Sequence, residues 1–400
     1  MAVSGLAACS TPAAPTPSPI AAASAPATRV AEVDCPAVGT APLPDLAEGM
    51  VPADAVSAYL DSGGAPTALA AALFDRSWET PTSTVVWTDV DGDGELDFAA
   101  GLVGAPDAEG FDHEGSVHLW RCHDGAYLRT EIAPARPGFG PPAIRQARDL
   151  TADGVPEVLV AYPRCGAHTC FAQFAVLQWD GSGMVDRFQG ASDDMPSPEL
   201  AVHAESPGSP AAIEVTATGI GSVGAGPYRI WSRTWSWEGG ARAFAPGEPA
   251  IEAPRFRIHA IHDADDAYRR GDLATALALY QRAIDEDGLL DWPSAGDGRE
   301  ELAAYAAFRR VLTFLTADEA VNAQAELDRW PVEAGASTGA YAELARRLIA
   351  AYAASGLEDA CAAASAFASD NLEGVVAPLD FGYANRTYTA EDLCPLAGIH

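Results

Sequence analysis

Basic residues are scarce in this chain of 400 residues. Arginine and lysine together number 24, against 56 aspartate and glutamate residues, so the formal net charge is −32. A charge of that sign and size repels the phosphates of nucleic acids and anionic membrane surfaces, and it attracts cations. We therefore expect no nucleic-acid partner. The simplest interpretation of the charge is a well-solvated surface, which by itself names no partner.

Long apolar runs are missing as well. No segment of the sequence approaches the roughly 18 to 20 consecutive apolar residues that a membrane-spanning helix requires. The sequence therefore predicts that the chain does not span a membrane.

Two common motifs of catalytic centres are also absent from the sequence. The sequence holds neither the His-Glu-x-x-His pair of zinc proteases nor the Gly-rich Lys-Ser/Thr loop that binds nucleotide phosphates. We therefore predict a non-enzymatic protein. The alternative is an extracellular hydrolase, carbohydrate-active or an esterase, whose catalytic acids are among the 56 acidic residues. A metal-free pocket with two carboxyl groups roughly 5 to 9.5 Å apart would favour that alternative.

The seven cysteines include no Cys-x-x-Cys pair of the kind that binds metals. Apart from Cys9 near the N-terminus there are six, an even number that is typical of the disulfides of exported proteins. The alternative of reduced cysteines buried in a cytosolic protein stays open. The predicted pairs are Cys165 with Cys170 across a four-residue turn, Cys361 with Cys394 in the helical region and, by elimination, Cys35 with Cys122.

The N-terminus resembles the lipobox of bacterial lipoproteins, a run of small residues that ends in the acylated cysteine, here Leu6-Ala7-Ala8-Cys9. Residues 1–9 are expected to be the end of a signal whose true start lies upstream. Residues 10–45 are rich in Ala, Pro, Ser and Thr and predict a tether. We therefore expect an exported protein, lipid-anchored on the outer face of the bacterial cytoplasmic membrane or at the cell surface. The alternative is an accidental cysteine in an Ala-rich leader.

Beyond the tether, the apolar spacing predicts a short helical segment over 46–80 and strands over 81–250. An Asp-rich loop begins at Asp89, and a related loop begins 60 positions later at Asp149. Each loop leads into an apolar strand and then into a hairpin with an Asp-Gly turn, which is typical of turns that require positive φ. A third hairpin has no acidic loop. The pattern predicts a β-repeat domain with three visible copies.

The first loop carries the strongest chemical signal in the sequence. Asp89, Asp91 and Asp93 occupy alternate positions 1, 3 and 5, a spacing that wraps carboxylates around one point. Glu95 at position 7 is expected to donate its main-chain carbonyl, and Asp97 at position 9 closes the site. Calcium takes about six to eight oxygen ligands, so we predict that it binds here. The alternative is a solvated acidic turn, in which four carboxylates repel one another.

The second loop keeps oxygen-bearing side chains at positions 1, 3, 5 and 9, but threonine replaces aspartate at position 3. We predict a weaker calcium site, and the alternative of an Asx-type turn without an ion stays open. The predicted ligands are Asp149, Thr151, Asp153, Val155 through its main chain, and Glu157.

These loops resemble the FG-GAP repeat, also called the VCBS repeat, in which an Asp-x-Asp-Gly-Asp-Gly-x-x-Asp loop precedes a hydrophobic strand. In this chain the strand after the first loop is Phe98 to Val103. The resemblance implies a calcium-binding, propeller-like domain over 81–250. Closed propellers usually have at least about four blades. Three copies therefore imply a partial propeller, a missed blade or a different β assembly.

From residue 256 to 398 the sequence predicts helices, with Ala and Leu at helical spacing. The segment 264–284 resembles a tetratricopeptide unit, with Gly271 at the turn and Ala276 and Tyr280 at the contact between helices. The resemblance implies stacked αα-hairpins with a protein-binding surface. The alternative is a helical bundle that only packs.

The sequence thus predicts a multidomain α and β protein, in which an FG-GAP-type β-repeat domain precedes a tetratricopeptide-like helical domain. The predicted function is that of a calcium-binding surface lipoprotein that serves as a scaffold for a protein or another extracellular ligand.

Overall fold

In the described chain two short helices come first, a β region follows, and a helical region forms the last part. The computed structural model describes residues 35, 43–45, 51–103, 115–292, 298–330 and 336–396. All of these residues belong to one compact unit, Asp34–His400. Cys9 and most of the predicted tether lie outside the described residues. The predicted order of a β region followed by a helical region is confirmed.

Three antiparallel sheets make up the described β region, and in each sheet neighbouring strands follow one another in chain order, except that the short last strand of the third sheet pairs out of order. The chain therefore folds as three successive meanders. Among the described residues the sheets do not close into a barrel. The first sheet contains β1 Val86–Thr88, β2 Asp97–Val103, β3 Gly115–His123 and β4 Ala126–Ala133; the second contains β5 Ala143–Arg148, β6 Glu157–Cys165, β7 Cys170–Trp179 and β8 Met184–Asp186; the third contains β9 Pro198–Ala204, β10 Ala211–Ala217, β11 Trp231–Glu238 and β12 Ala243–Pro246, with β13 Ala250–Ile251 paired to β11.

The burial of the inner strands explains their composition. All seven residues of β2 are buried, and β6 begins with six buried residues, so both strands are largely apolar on both faces after the acidic residue, Asp97 or Glu157, that begins each of them. In β10 buried and half-buried residues alternate, which leaves one face of the third sheet towards solvent. The two acidic loops join β1 to β2 and β5 to β6. They therefore lie at equivalent corners of the first two sheets.

Two short helices, α1 Pro52–Asp61 and α2 Pro66–Asp75, cover one face of the first sheet. Their apolar side chains pack against Phe98 and Trp120, which are both fully buried. The indole nitrogen of Trp120 donates a hydrogen bond to the hydroxyl of Ser57 on α1 at 2.9 Å. The tryptophan thereby satisfies its polar atom inside an apolar contact.

The C-terminal region is built from helices that pack in sequence. Gly271 has φ +78° in the turn between the first two of them, a conformation that favours glycine. Asp272 then caps the second helix by accepting the main-chain N–H of Thr275 at 3.2 Å. No helix among the described residues has both the length and the apolar character needed to cross a bilayer. The helices are α3 Arg257–Arg269, α4 Leu273–Asp285, α5 Gly298–Thr316, α6 Ala320–Asp328, α7 Ala336–Ser355, α8 Leu357–Asp370 and α9 Leu372–Val375, followed by 3-10 turns at Ala377–Leu379 and Glu391–Leu393.

A buried charged cluster joins three helices to the C-terminal segment 380–396. Asp265 on α3 is 1% exposed and accepts hydrogen bonds from the hydroxyls of Tyr280, Tyr305 and Tyr388 at 2.5, 3.0 and 2.7 Å. Arg309 on α5 is fully buried, lies 3.3 Å from Asp265 and donates to two main-chain carbonyls of the C-terminal segment. Most polar atoms of the cluster thus have partners within the protein, while the Nη2 nitrogen of Arg309 is buried with no hydrogen-bond partner among the described residues.

The β and helical regions contact each other through the loop between β10 and β11. The side-chain amide of Asn385 donates to the carbonyl of Pro227 at 3.1 Å, and Arg229 forms an ion pair with Asp263 of α3. Gly226 has φ +79°, and a Cβ there would overlap a main-chain oxygen of the C-terminal segment. Only glycine allows the two backbones to approach this closely.

Candidate metal centre

The first acidic loop is wrapped around the carboxylate of Asp89. One oxygen of this carboxylate accepts the main-chain N–H of Gly92 at 2.7 Å, and the other accepts that of Gly94 at 2.9 Å. Both glycines have positive φ, +77° and +96°. The alternation of Asp and Gly therefore has a local structural cause, because the glycines turn the chain while Asp89 holds the turn together.

Three of the predicted ligands converge. Oxygens of Asp89, Asp91 and Asp97 lie within 4.8 Å of one another, which is close enough to share one cation. Asp93 and Glu95 are not part of this group. Instead, a carboxylate oxygen of Asp93 accepts the main-chain N–H of Glu95 at 2.8 Å. The donor set at the point of convergence consists of oxygen only, and it fits a hard cation.

Asp97 is the buried member of the group. Its carboxylate accepts main-chain N–H groups of Val90 at 2.8 Å and of Cys122 in β3 at 2.9 Å. Burial raises the pKa of Asp97 to about 7, the nearby charges of Asp91 and Asp93 add to the rise, and the two N–H donors oppose it. The carboxylate of Asp97 is therefore buried beside two other carboxylates, and no positively charged side chain among the described residues is paired with it.

Arg121 is a member of the site that the sequence analysis did not identify. Its guanidinium forms an ion pair with Asp91 at 2.7 Å, and it lies 4.2 Å from the ring centroid of Trp179 in the second sheet. This arginine therefore links the first loop to the neighbouring sheet through a charge contact and a cation–π contact. The only sequence signal was a basic residue between two apolar residues of a strand.

The second acidic loop repeats part of this construction beside the first. Asp149 accepts the main-chain N–H groups of Asp153 at 3.2 Å and Gly154 at 3.0 Å, as Asp89 does in the first loop. Glu157 is fully buried and accepts a hydrogen bond from the hydroxyl of Thr151 at 3.0 Å. Burial raises the pKa of Glu157, and hydrogen bonds to the carboxylate oppose the rise. Val155 packs near the glycine-rich turn of the first loop.

A side-chain amide occupies the middle of the second loop. Oxygens of Asp149, Asp153 and Glu157 lie within 4.8 Å of one another. The amide nitrogen of Gln178 donates to both Asp153 and Glu157 at 2.9 Å, while its oxygen accepts from Arg187 at 3.0 Å. The contact with Arg187 orients the amide so that its N–H groups face the carboxylates. Two of the three carboxylates in this loop are thus paired with a neutral donor from the protein.

The six cysteines other than Cys9 form three disulfides in the structure. One of them, between Cys35 and Cys122, lies beside Glu95, so these sulfurs are not thiolate ligands for a metal. The disulfide at the start of β7 closes the turn between β6 and β7. The pairs are Cys35 with Cys122, Cys165 with Cys170, and Cys361 with Cys394.

One catalytic pattern requires comment, because residues 335–339 read Gly-Ala-Ser-Thr-Gly and match the letters Gly-x-Ser-x-Gly. In hydrolases this pattern forms a sharp turn between a strand and a helix. Here α7 begins at Ala336, and the preceding described element is the helix α6. Among the described residues, the element before Ser337 is therefore a helix and not the strand that the hydrolase turn requires.

The two acidic clusters are thus groups in the described part of the chain whose carboxylates lie close enough together to hold a metal ion. Comparison of the chain with protein-family models, with curated proteins and with solved structures found no match.

Proposed function

We propose that the first acidic loop binds one calcium ion and that this ion stabilises the β region without taking part in catalysis. The observation that carries the proposal is the convergence of Asp89, Asp91 and Asp97 within 4.8 Å. A donor set of carboxylate oxygens favours calcium, whereas zinc sites typically use nitrogen and sulfur ligands.

The burial of Asp97 gives the ion its structural role. Because this carboxylate also accepts the main-chain N–H of Cys122, a cation held by Asp97 fastens the loop to β3. Arg121 neutralises Asp91 only, so the excess negative charge of the loop remains for the cation to offset. The ion therefore acts as a clamp between the loop and the first sheet.

The second loop is expected to remain without calcium, so isothermal titration should give one ion per chain. The reason is the amide of Gln178, whose two hydrogen bonds already engage Asp153 and Glu157. A matched pair of substitutions tests this assignment, because Asp89 and Asp149 hold their loops in the same way. Asp89→Asn should abolish the calcium heat, and Asp149→Asn should leave the stoichiometry unchanged. Two ions per chain, or loss of binding in the Asp149→Asn variant, would contradict the assignment.

The remaining architecture supports a scaffold of the kind that the two resemblances imply. Each meander of four strands is assigned as an FG-GAP-type blade of a partial propeller, since the acidic loops join the first and second strands of the first two sheets. The hairpin of α3 and α4 is assigned as a tetratricopeptide-like unit, because Ala276 and Tyr280 are fully buried between helices. In this proposal the helical region binds a partner and the chain performs no chemistry.

Attachment to a membrane through Cys9 completes the proposed function. We expect the protein expressed from its native locus to enter the detergent phase of a phase-separation experiment, because acylation adds a long apolar chain. The Cys9→Ser variant should remain in the aqueous phase. If both proteins remain in the aqueous phase, the lipid anchor is wrong while the calcium proposal is unaffected.

A further inference from the structure

A groove of about 900 Å³ lies where the C-terminal segment meets the loop between β10 and β11. One wall contains Gly224 of that loop, and the others come from the end of α8, from α9 and from residues 380–391. This volume is near the upper end of the roughly 300 to 1,000 Å³ typical of ligand pockets. The groove is therefore large enough to hold a short peptide segment.

The walls of the groove are held in place before any ligand arrives. The main-chain N–H of Tyr383 donates to the carbonyl of Gly224 at 3.2 Å, and Gly382 has φ +90° where the two backbones meet. Tyr388, which also lines the groove, is anchored through its hydroxyl to the buried Asp265. A preformed groove loses little conformational entropy on binding, which favours affinity.

Large apolar side chains are exposed at the rim. Tyr383 is 60% exposed and Leu372 is 51% exposed, and both line the groove. Val223, the neighbour of Gly224 in the chain, is 98% exposed. Clustered apolar side chains around a cleft are typical of surfaces that bind proteins. They extend the apolar surface beyond the cavity itself, which favours a peptide over a small molecule.

The charge of the groove has one sign. Glu373, Asp380 and Glu391 line it, no basic side chain does, and none of the three forms an ion pair with another described residue. Carboxylates without a basic partner complement lysine or arginine on a ligand.

We infer that this groove binds an exposed segment of a partner protein that carries lysine or arginine together with apolar side chains. The inference rests on the proposed scaffold function and names the chemistry of its partner. It does not depend on the calcium loop.

Selection from a library of short random peptides displayed on phage tests the inference on the full chain. A variant with Glu373→Gln and Glu391→Gln serves for counter-selection. The enriched peptides should carry a net positive charge and at least one aromatic or aliphatic residue. By fluorescence anisotropy, their binding should weaken about tenfold or more in this variant. A matched control with Glu205→Gln and Glu248→Gln, which removes the same charge from exposed loops of the third sheet, should weaken it only about twofold.

A second measurement maps the contact directly. The sequence contains no lysine, so a carbodiimide reagent couples the chain's carboxylates to the amines of a bound lysine-containing peptide with little competition from within the chain. Mass spectrometry should place these links at Glu373, Asp380 or Glu391.

Any of four results would overturn the inference. These are neutral or acidic peptides in the selection, no enrichment at all, links spread over other acidic residues, and equal weakening of peptide binding in the two variants. If peptide binding persists in the presence of a chelator, the groove binds its partner independently of the calcium loop, and the two proposals are tested separately.

Discussion

Replacing Asp265 by alanine is expected to lower the free energy of unfolding by about 3 to 5 kcal/mol, because the change leaves a buried charge without its partner. Arg309 is fully buried beside Asp265 and has main-chain carbonyls and tyrosines as its other neighbours. The three tyrosine hydroxyls that donate to Asp265 also lose their acceptor. The loss should be measured by urea denaturation followed through the helical circular dichroism signal.

The neighbouring residue provides a matched control for this experiment. Asp266 forms ion pairs with Arg386 and Arg269, but its side chain is 44% exposed. Asp266→Ala should therefore cost only about 0 to 1 kcal/mol, as exposed ion pairs do. If Asp265→Ala does not fold, Asp265→Asn should give an intermediate loss, because the amide oxygen still accepts hydrogen bonds. Equal stability of the Asp265→Ala and Asp266→Ala variants would contradict the central role of the cluster.

Local patterns predicted much of the secondary structure. The periods of apolar residues distinguished the β region from the helical region, and Gly271 marked the turn between α3 and α4. The acidic loops could be recognised because their chemistry lies within nine consecutive residues. For such features the causes are local, so the sequence carries them directly.

The partners of the loops could not be predicted in the same way. Arg121 reaches Asp91 across 30 positions, and Gln178 reaches Asp153 across 25 positions. Both contacts depend on how strands pair within a sheet, and no local spacing encodes that pairing. We propose that this amide favours a turn held by the protein over a bound ion in the second loop, a choice that the sequence analysis left open.

The buried cluster around Asp265 was missed for a related reason. Tyr388 donates to Asp265 across 123 positions, and Arg309 reaches the C-terminal segment across more than 80. The sequence shows these residues as ordinary surface types, since arginine and aspartate are mostly exposed in proteins. Only the packing of the C-terminal segment against the helices brings them together.

Calcium is expected to give the second large effect. At a concentration about one hundred times Kd, binding to the folded state alone stabilises a protein by about 2.7 kcal/mol. For a region of this size, that free energy corresponds to a rise in Tm of roughly 5 to 11 °C. The effect should be greatest in the β region, because the ion connects the first loop to β3.

Thermal melting with calcium and with chelator, followed by two signals, tests the central claim most directly. Six of the nine tryptophans lie within 81–250, so near-ultraviolet circular dichroism reports mainly on the β region, while the far-ultraviolet signal reports mainly on the helices. We predict that chelator lowers the Tm of the near-ultraviolet transition more than that of the far-ultraviolet one. Asp91→Ala should remove most of this calcium dependence, and Thr151→Ala should preserve it. A near-ultraviolet melting curve that is indifferent to calcium, chelator and Asp91→Ala would show that the first loop is only an acidic turn.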